Sequence, residues 1–224
     1  MIVKEKVIQG SEEWFKLRNG RPTASQFKKI LTPGGALSKS SVKYMDELIA
    51  ECFFPDFVEF EGTRHTDRGN ELEPEAREAF ESLTGLTATE VGFCTREDEV
   101  VGCSPDALIP DETGEWISGL EIKCPAPKTH VGYVRQHAEA IRLGVKWFPS
   151  EYKLQVHGGM AVTGLNTWHF FSYCPGLSPV HIRVKRDQFT ETLSESLSDF
   201  LTDYVAMCKS LIPKLQLTET EGDE

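Results

Sequence analysis

Apolar positions fall at helical spacing in the first third of the chain, alternate in the middle, and return to helical spacing at the end. Ser11 precedes Glu12-Glu13-Trp14-Phe15-Lys16-Leu17-Arg18, a short helix with two acids in its first turn and Gly20 as its stop. Thr23-Ala24-Ser25-Gln26 reads as a capping box, and Phe27, Ile30 and Leu31 supply the stripe behind it. Thr32-Pro33-Gly34-Gly35 ends that helix. A third helix is predicted from about Ser38 to Cys52, with Val42, Met45, Leu48 and Ile49 on one face. Residues 67–84 read as a helix ending at Gly85; Pro74 fits only a first turn, so this helix starts near Leu72 or kinks there.

Beyond Gly85 the period shortens. Segments 87–94, 99–104, 106–110 and 116–123 are short, β-rich and separated by turn residues. From Pro125 to Thr163 the pattern is helical again, with Gly158-Gly159 as its weak point. Two strands follow at 166–174 and 180–185. Asp187 caps a closing helix through about Leu211, with Phe189, Leu193, Leu197, Phe200, Leu201 and Tyr204 as its buried stripe. There is no internal repeat and no linker long enough to separate two folded units. This order predicts an α/β fold, one domain with a mixed central sheet flanked by helices.

The chain has 224 residues, enough for a sizeable core. No apolar run approaches the roughly 18 residues of a membrane span, and the polar N-terminus does not read as a signal peptide; the expectation is a cytoplasmic protein without a membrane partner. The six cysteines have no C-x-x-C pair, which argues against a zinc ribbon or a disulfide framework. Net charge is -11, which taken alone disfavours a polyanionic partner. Its distribution changes the picture. Residues 1–50 carry a net of +4, residues 51–121 a net of -15, and residues 122–224 balance. A nucleic acid is admissible only against a local basic surface.

The sharpest chemical pattern is Ser104-Pro105-Asp106 followed, fifteen positions after the aspartate, by Glu121-Ile122-Lys123. On a strand Glu121 and Lys123 share a face while Ile122 turns into the core. If segments 106–110 and 116–123 pair as a hairpin, Asp106 lies beside that couple. Converging carboxylates are costly unless a divalent cation neutralises them, and a neighbouring ammonium can hold a water or an oxyanion. Metal-assisted phosphodiester hydrolysis uses these parts. An isolated E-x-K is commonly just an ion pair on a solvated strand.

The run Cys103-Ser104-Pro105-Asp106-Ala107-Leu108, with Gly119-Leu120-Glu121-Ile122-Lys123-Cys124-Pro125, resembles the active-site signature of the bacteriophage lambda exonuclease family, viral recombination nucleases of the PD-(D/E)xK superfamily with its restriction-endonuclease-like core. Trp14-Phe15-Lys16-Leu17-Arg18 with Thr23-Ala24-Ser25 is similar to that family's N-terminal segment. Gly69-Asn70-Glu71-Leu72-Glu73 and Tyr152-Lys153-Leu154-Gln155-Val156 are similar to two of its helices, in the same order along the chain.

The resemblance implies that Asp106, Glu121 and the Ile122 carbonyl ligate metal, that Glu73 adds an acid toward a second ion, that Lys123 holds the attacking water, and that Gln155 orders that water or a phosphate oxygen. It implies two Mg²⁺ ions per site, with Mn²⁺ able to substitute. Arg18 and Ser25, with Ser104 assisting, would bind a 5′-terminal phosphate; an arginine fork and a hydroxyl near a helix start suit that anion. The implied activity is digestion of the 5′-phosphorylated strand of duplex DNA to nucleotides, leaving a 3′ overhang. The implied partners are double-stranded DNA ends, two further copies in a trimeric ring, and a single-strand annealing protein, in a bacterial or phage setting. Residues 1–215 would form the nuclease domain and 216–224 an acidic, flexible tail.

Two features depart from the lambda enzyme. Residues 64–68 lack its large apolar strand-separating residue, leaving His65 and Arg68 as candidates. The gap between Asp106 and Glu121 is longer, which predicts an extended hairpin tip at Asp111–Glu115. Trp14 reads as core, His157 as a helix polar residue, and Tyr133–Phe148 as either a backbone-tracking stretch or a solvated helix face. A structure-specific endonuclease or nickase of the same superfamily, and a non-catalytic DNA-end-binding module, are the alternative functions. A Cas4-type nuclease is disfavoured because the cysteines lack an iron–sulfur grouping.

Overall fold

A computed structural model describes residues 1–54 and 64–215; the expected tail at 216–224 and the side chain of His65 lie outside the described residues. In chain order the elements are β1 (Ile2–Lys4), α1 (Glu12–Arg18), a 3₁₀ turn (Ala24–Lys29), α2 (Ser41–Phe53), α3 (Arg64–Thr84), β2 (Phe93–Thr95), β3 (Gly102–Cys103), β4 (Ala107–Pro110), β5 (Trp116–Lys123), α4 (Pro127–Leu143), a second 3₁₀ turn (Ser150–Tyr152), α5 (Lys153–Thr163), β6 (Thr167–Ser172), β7 (Val180–Lys185) and α6 (Gln188–Leu215). Strands β4-β5-β6-β7 form a mixed central sheet in that order, and β1-β2-β3 a small antiparallel one. Within the central sheet β5 and β6 pair in parallel, because α4 and α5 intervene and return the chain in the same direction.

Strand alternation divides the core. Leu120 and Ile122 of β5, with Phe171 of β6, pack on Ala76 and Phe80 of α3. Trp168 and Phe170 of β6 face the other way, into a cluster built from α2, α5 and α6, where Leu193, Leu197, Phe200, Leu201 and Tyr204 supply the α6 stripe. Each large apolar side chain buried this way contributes roughly 1.5–3 kcal/mol. The hairpin β4–β5 pairs Ala107 with Leu120, and its tip closes with Asp111 N donating to the Glu115 carbonyl at 2.8 Å.

Several local expectations are corrected. The segment 125–163 is not one helix: Gly144, in the left-handed region at φ 66°, ends α4, and the chain restarts at Lys153. Gly158-Gly159 is a site of close approach rather than weakness. A Cβ at Gly159 would stand 2.5 Å from the Trp168 ring and one at Gly158 2.6 Å from Phe27. Helix α3 starts earlier than Leu72 and carries Pro74 inside it. Val42 is exposed, and Tyr44 takes the core position, with its ring stacked on Phe200 at 5.7 Å. Thr23 makes no side-chain cap; the turn after it is 3₁₀, held by Gln26 N on the Thr23 carbonyl at 2.8 Å. The strands in 87–104 shrink to β2 and β3.

Candidate active site

β4 and β5 bring Asp106 and Glu121 together because the hairpin register that pairs Ala107 with Leu120 places the two acids on the same face. Asp106 Oδ2 accepts from the Ile122 backbone N–H at 2.5 Å. Glu121, only 2% exposed, accepts at Oε1 from both Lys123 Nζ and Gln155 Nε2, the latter at 2.5 Å. Gln155 reaches it from the first turn of α5. Glu73, on α3, lines the same cavity as Asp106 and Lys123 and pairs with Arg77 at 2.8 Å. Arg77 also holds Glu90 at 2.7 Å. The cavity measures about 590 Å³, and Gln9, Tyr152 and Thr129 are among the residues that line it. The Tyr152 ring centroid lies 5.5 Å from Lys123 Nζ.

Electrostatics mark this cluster as short of positive charge. Burial pushes the Glu121 carboxyl up to about 8, with Asp106 adding to the rise and Lys123 opposing it. Burial and the nearby Asp106 raise Glu73 to about 7 against Arg77. Asp106 is also raised, by burial, while Lys123 and the Ile122 N–H pull it back. Burial works against the Lys123 ammonium, but Glu121 and Asp106 outweigh it and hold it protonated. Among the described residues no three acidic, histidine or cysteine groups already stand as a ready-made metal cage. The donor set nevertheless fits a hard divalent cation: buried carboxylate oxygens, crowded enough to raise one another's pKa, are what such an ion relieves.

A second cluster assembles around Arg18 at the end of α1. Nη1 donates to Ser104 Oγ at 3.2 Å, and Nη2 donates to Thr23 Oγ1 at 3.2 Å and Ser25 Oγ at 3.3 Å. Burial lowers the Arg18 pKa below its usual value, partly offset by Tyr44, Glu51 and Cys103. Among the described residues no carboxylate lies within ion-pair distance of this guanidinium. Trp14 is not simply core: its indole N–H donates to Ser104 Oγ at 2.9 Å, and Arg18 stacks over its ring at 4.2 Å. Ser104 is two residues from Asp106, so the clusters share one short segment.

The structure thus gathers Asp106, Glu121, Lys123 and Gln155 in one group, with Glu73 and Ile122 on the wall of the same cavity, and Arg18, Ser25 and Ser104 in the other. Gln9 and Arg77 carry no signal in the sequence, and Thr23 and Tyr152 stand there only as parts of longer patterns. Arg68 donates through Nη1 to the carbonyls of Cys124 and Pro125 at 3.0 and 2.9 Å, two residues that line the same cavity. The stretch 133–148 divides at Gly144; Tyr133 is buried and Arg142 pairs with Glu139 at 2.5 Å. His157 and His130 are buried and hydrogen-bonded, to Thr190 and to Ser172, both at 2.8 Å. No helix among the described residues is long and apolar enough to cross a membrane.

Residues 13–166 match the model of the YqaJ-like viral recombinase domain. An alkaline exonuclease from Laribacter hongkongensis, LHK-Exo, superposes with a TM-score of 0.72 at 32% identity, covering 91% of this chain and 97% of that one. The same enzyme in complex with dAMP superposes at 0.67 with 30% identity, over 92% of this chain and 100% of that one. A phage-related exonuclease from Haemophilus somnus 129PT, at 17% identity and a TM-score of 0.63 over 90% and 99% of the two chains, shares the fold. No curated protein sequence matches.

Proposed function

The chain belongs to the YqaJ-like viral recombinase family and is a nuclease of the alkaline-exonuclease type, and from that premise we propose that it digests the 5′-phosphorylated strand of duplex DNA in the 5′-to-3′ direction, releasing nucleotides and leaving a 3′ overhang. The observation that carries this reading is the joining, through Ser104-Pro105-Asp106, of an acid-and-lysine cavity to a cationic hydroxyl pocket. The first suits a metal-assisted hydrolysis, the second a terminal phosphate. The binding of dAMP by LHK-Exo is consistent with a nucleotide product.

Asp106, Glu121, the Ile122 carbonyl and Glu73 would hold two Mg²⁺ ions, or Mn²⁺ in their place. Bound there, the ions would make water nucleophilic at neutral pH and offset charge on the phosphate. Glu121 fixes the Lys123 ammonium and the Gln155 amide through one oxygen. Lys123, protonated at the cavity wall, holds a water or a phosphate oxygen; Gln155 keeps the geometry of that pair. Arg18 grips the terminal phosphate, with Ser25 and Ser104 donating to its oxygens. Glu73 pairs with Arg77 through Oε1, and its second oxygen, Oε2, would reach an ion. A trimeric ring around the DNA would set the net +4 of residues 1–50 inside and the acids outside, and a single-strand annealing protein would take up the overhang.

Time courses on linear duplex bearing 5′-phosphate or 5′-hydroxyl ends, and on closed circles, with and without Mg²⁺, test this directly. Mg²⁺-dependent release of nucleotides from phosphorylated linear DNA, with circles left intact, is the expected result. Cleavage of circles would make the protein an endonuclease, and Mg²⁺-independent binding without hydrolysis would make it an end-binding module.

A further inference from the structure

Two side chains, Gln9 on the wall of the acid cavity and Trp14 against Arg18, tie the clusters together. Gln9 precedes α1, and its Nε2 donates to the Val91 carbonyl at 3.0 Å and the Pro105 carbonyl at 2.9 Å. A side-chain amide has two N–H donors, and both are used there. The polar atom left to offer the cavity that Gln9 lines is therefore its oxygen. Trp14, five residues on, grips the neighbouring residue, donating to Ser104 Oγ at 2.9 Å while its ring carries the Arg18 guanidinium at 4.2 Å.

The Ser104 hydroxyl accepts from Trp14 and from Arg18. A hydroxyl has two acceptor positions and one proton, so that proton points away from both donors, available to an anion. Ser104 and Pro105 are thus held in succession by one N-terminal segment, and Asp106 follows immediately, tied by its own N–H to the Leu120 carbonyl at 3.1 Å. Chain geometry keeps the Cα atoms of Ser104 and Asp106 within about 7 Å of each other. That is the scale of one step between successive phosphates along a nucleotide chain.

We infer that Gln9 and Trp14 are positioning residues that hold the terminal-phosphate pocket in register with the cutting carboxylate, so that a strand end seated on Arg18 presents its first phosphodiester to Asp106. The inference rests on the nuclease reading above and adds to it the means by which product length is set. Residues that only supported the fold would affect melting and overall rate, but not the size of the fragment released.

The test uses the full chain with Gln9→Met, which keeps length and packing without the donors, and Trp14→Phe, which keeps an aromatic face for Arg18 without the indole N–H. Products of single-turnover digestion of 5′-phosphorylated duplex are sized, and kcat and KM are measured separately. Gln9→Met should lower kcat about tenfold with KM within about twofold, and add di- and trinucleotides to the first products. Trp14→Phe should lower the preference for 5′-phosphate over 5′-hydroxyl ends by about tenfold. If Gln9→Met does not fold, Gln9→Asn retains the amide but is too short to span both carbonyls, and is read the same way. Folded variants that release only mononucleotides at the wild-type kcat and end preference would overturn the register. Wild-type protein that fails to cleave, or ignores the terminal phosphate, would instead overturn the nuclease reading beneath it.

Discussion

The two ends of the Ser104-Pro105-Asp106 segment are unbalanced in opposite senses. At one end Asp106, Glu121 and Glu73 crowd together, and the cations nearest them, Lys123 and Arg77, leave their pKa values raised. At the other end the Arg18 guanidinium is held by three hydroxyls, while the nearby Glu51 is engaged by the Gly20 backbone N–H at 3.0 Å. Buried charge without a full partner is costly, and a chain selected for stability alone would mix these groups into neutral pairs. Keeping them apart makes sense when each end receives what it lacks from a ligand: divalent cations at the acids, a phosphate at the arginine.

The largest expected effect breaks one end and spares the other. Lys123→Ala should reduce kcat by about 10²–10³-fold, the range for losing a positioned charge donor at a reacting oxyanion. Folding and binding of phosphorylated ends should persist. Activity within tenfold of wild type would remove Lys123 from the chemistry. Arg18→Ala is the converse and should be smaller. Loss of a charge-assisted grip costs about 1.5–3 kcal/mol, so the 5′-phosphate to 5′-hydroxyl preference should drop about 10–100-fold. Cleavage from 5′-hydroxyl ends should change little. Competition kinetics on the two kinds of end measure that ratio, and an unchanged value would take Arg18 out of the pocket.

What was legible in the sequence was what strand and helix periodicity determine locally. Glu121 and Lys123 share a face because they stand two positions apart on one strand, and Asp106 meets them because one hairpin joins its strand to theirs. The α6 stripe was legible for the same kind of reason. Connections between distant positions were not. Gln9 meets Pro105 across 96 positions and Trp14 meets Ser104 across 90, and no local pattern encodes either meeting. The glycines at 158 and 159 read as helix breakers because their value lies in Phe27 and Trp168, which arrive from elsewhere. The break after α4 had signals in Gly144 and Pro149, but the apolar period ran through them. Val42 failed for a simpler reason: Tyr44, two positions on, fills its place against Phe200.

The smallest expected shift, one of melting temperature, sharpens the contrast most. Asp106→Asn preserves an acceptor oxygen for the Ile122 N–H and removes one of the crowded charges. Asp106 raises the pKa of both Glu73 and Glu121, so both carboxyls should ionise more easily in the variant. Without metal, the variant should melt higher than wild type by about 2–4 °C, equivalent to about 1 kcal/mol in a chain of this size. Cleavage should be lost all the same. Added Mg²⁺ should raise the wild-type melting temperature and close that gap, because a ligand that binds only the folded state stabilises it by mass action. Inorganic phosphate should act at the other end, protecting wild type and Asp106→Asn alike but not Arg18→Ala. If Asp106→Asn melted lower than wild type, the aspartate would be serving β5 mainly as a backbone acceptor, and the acid end would have to be read as part of the scaffold.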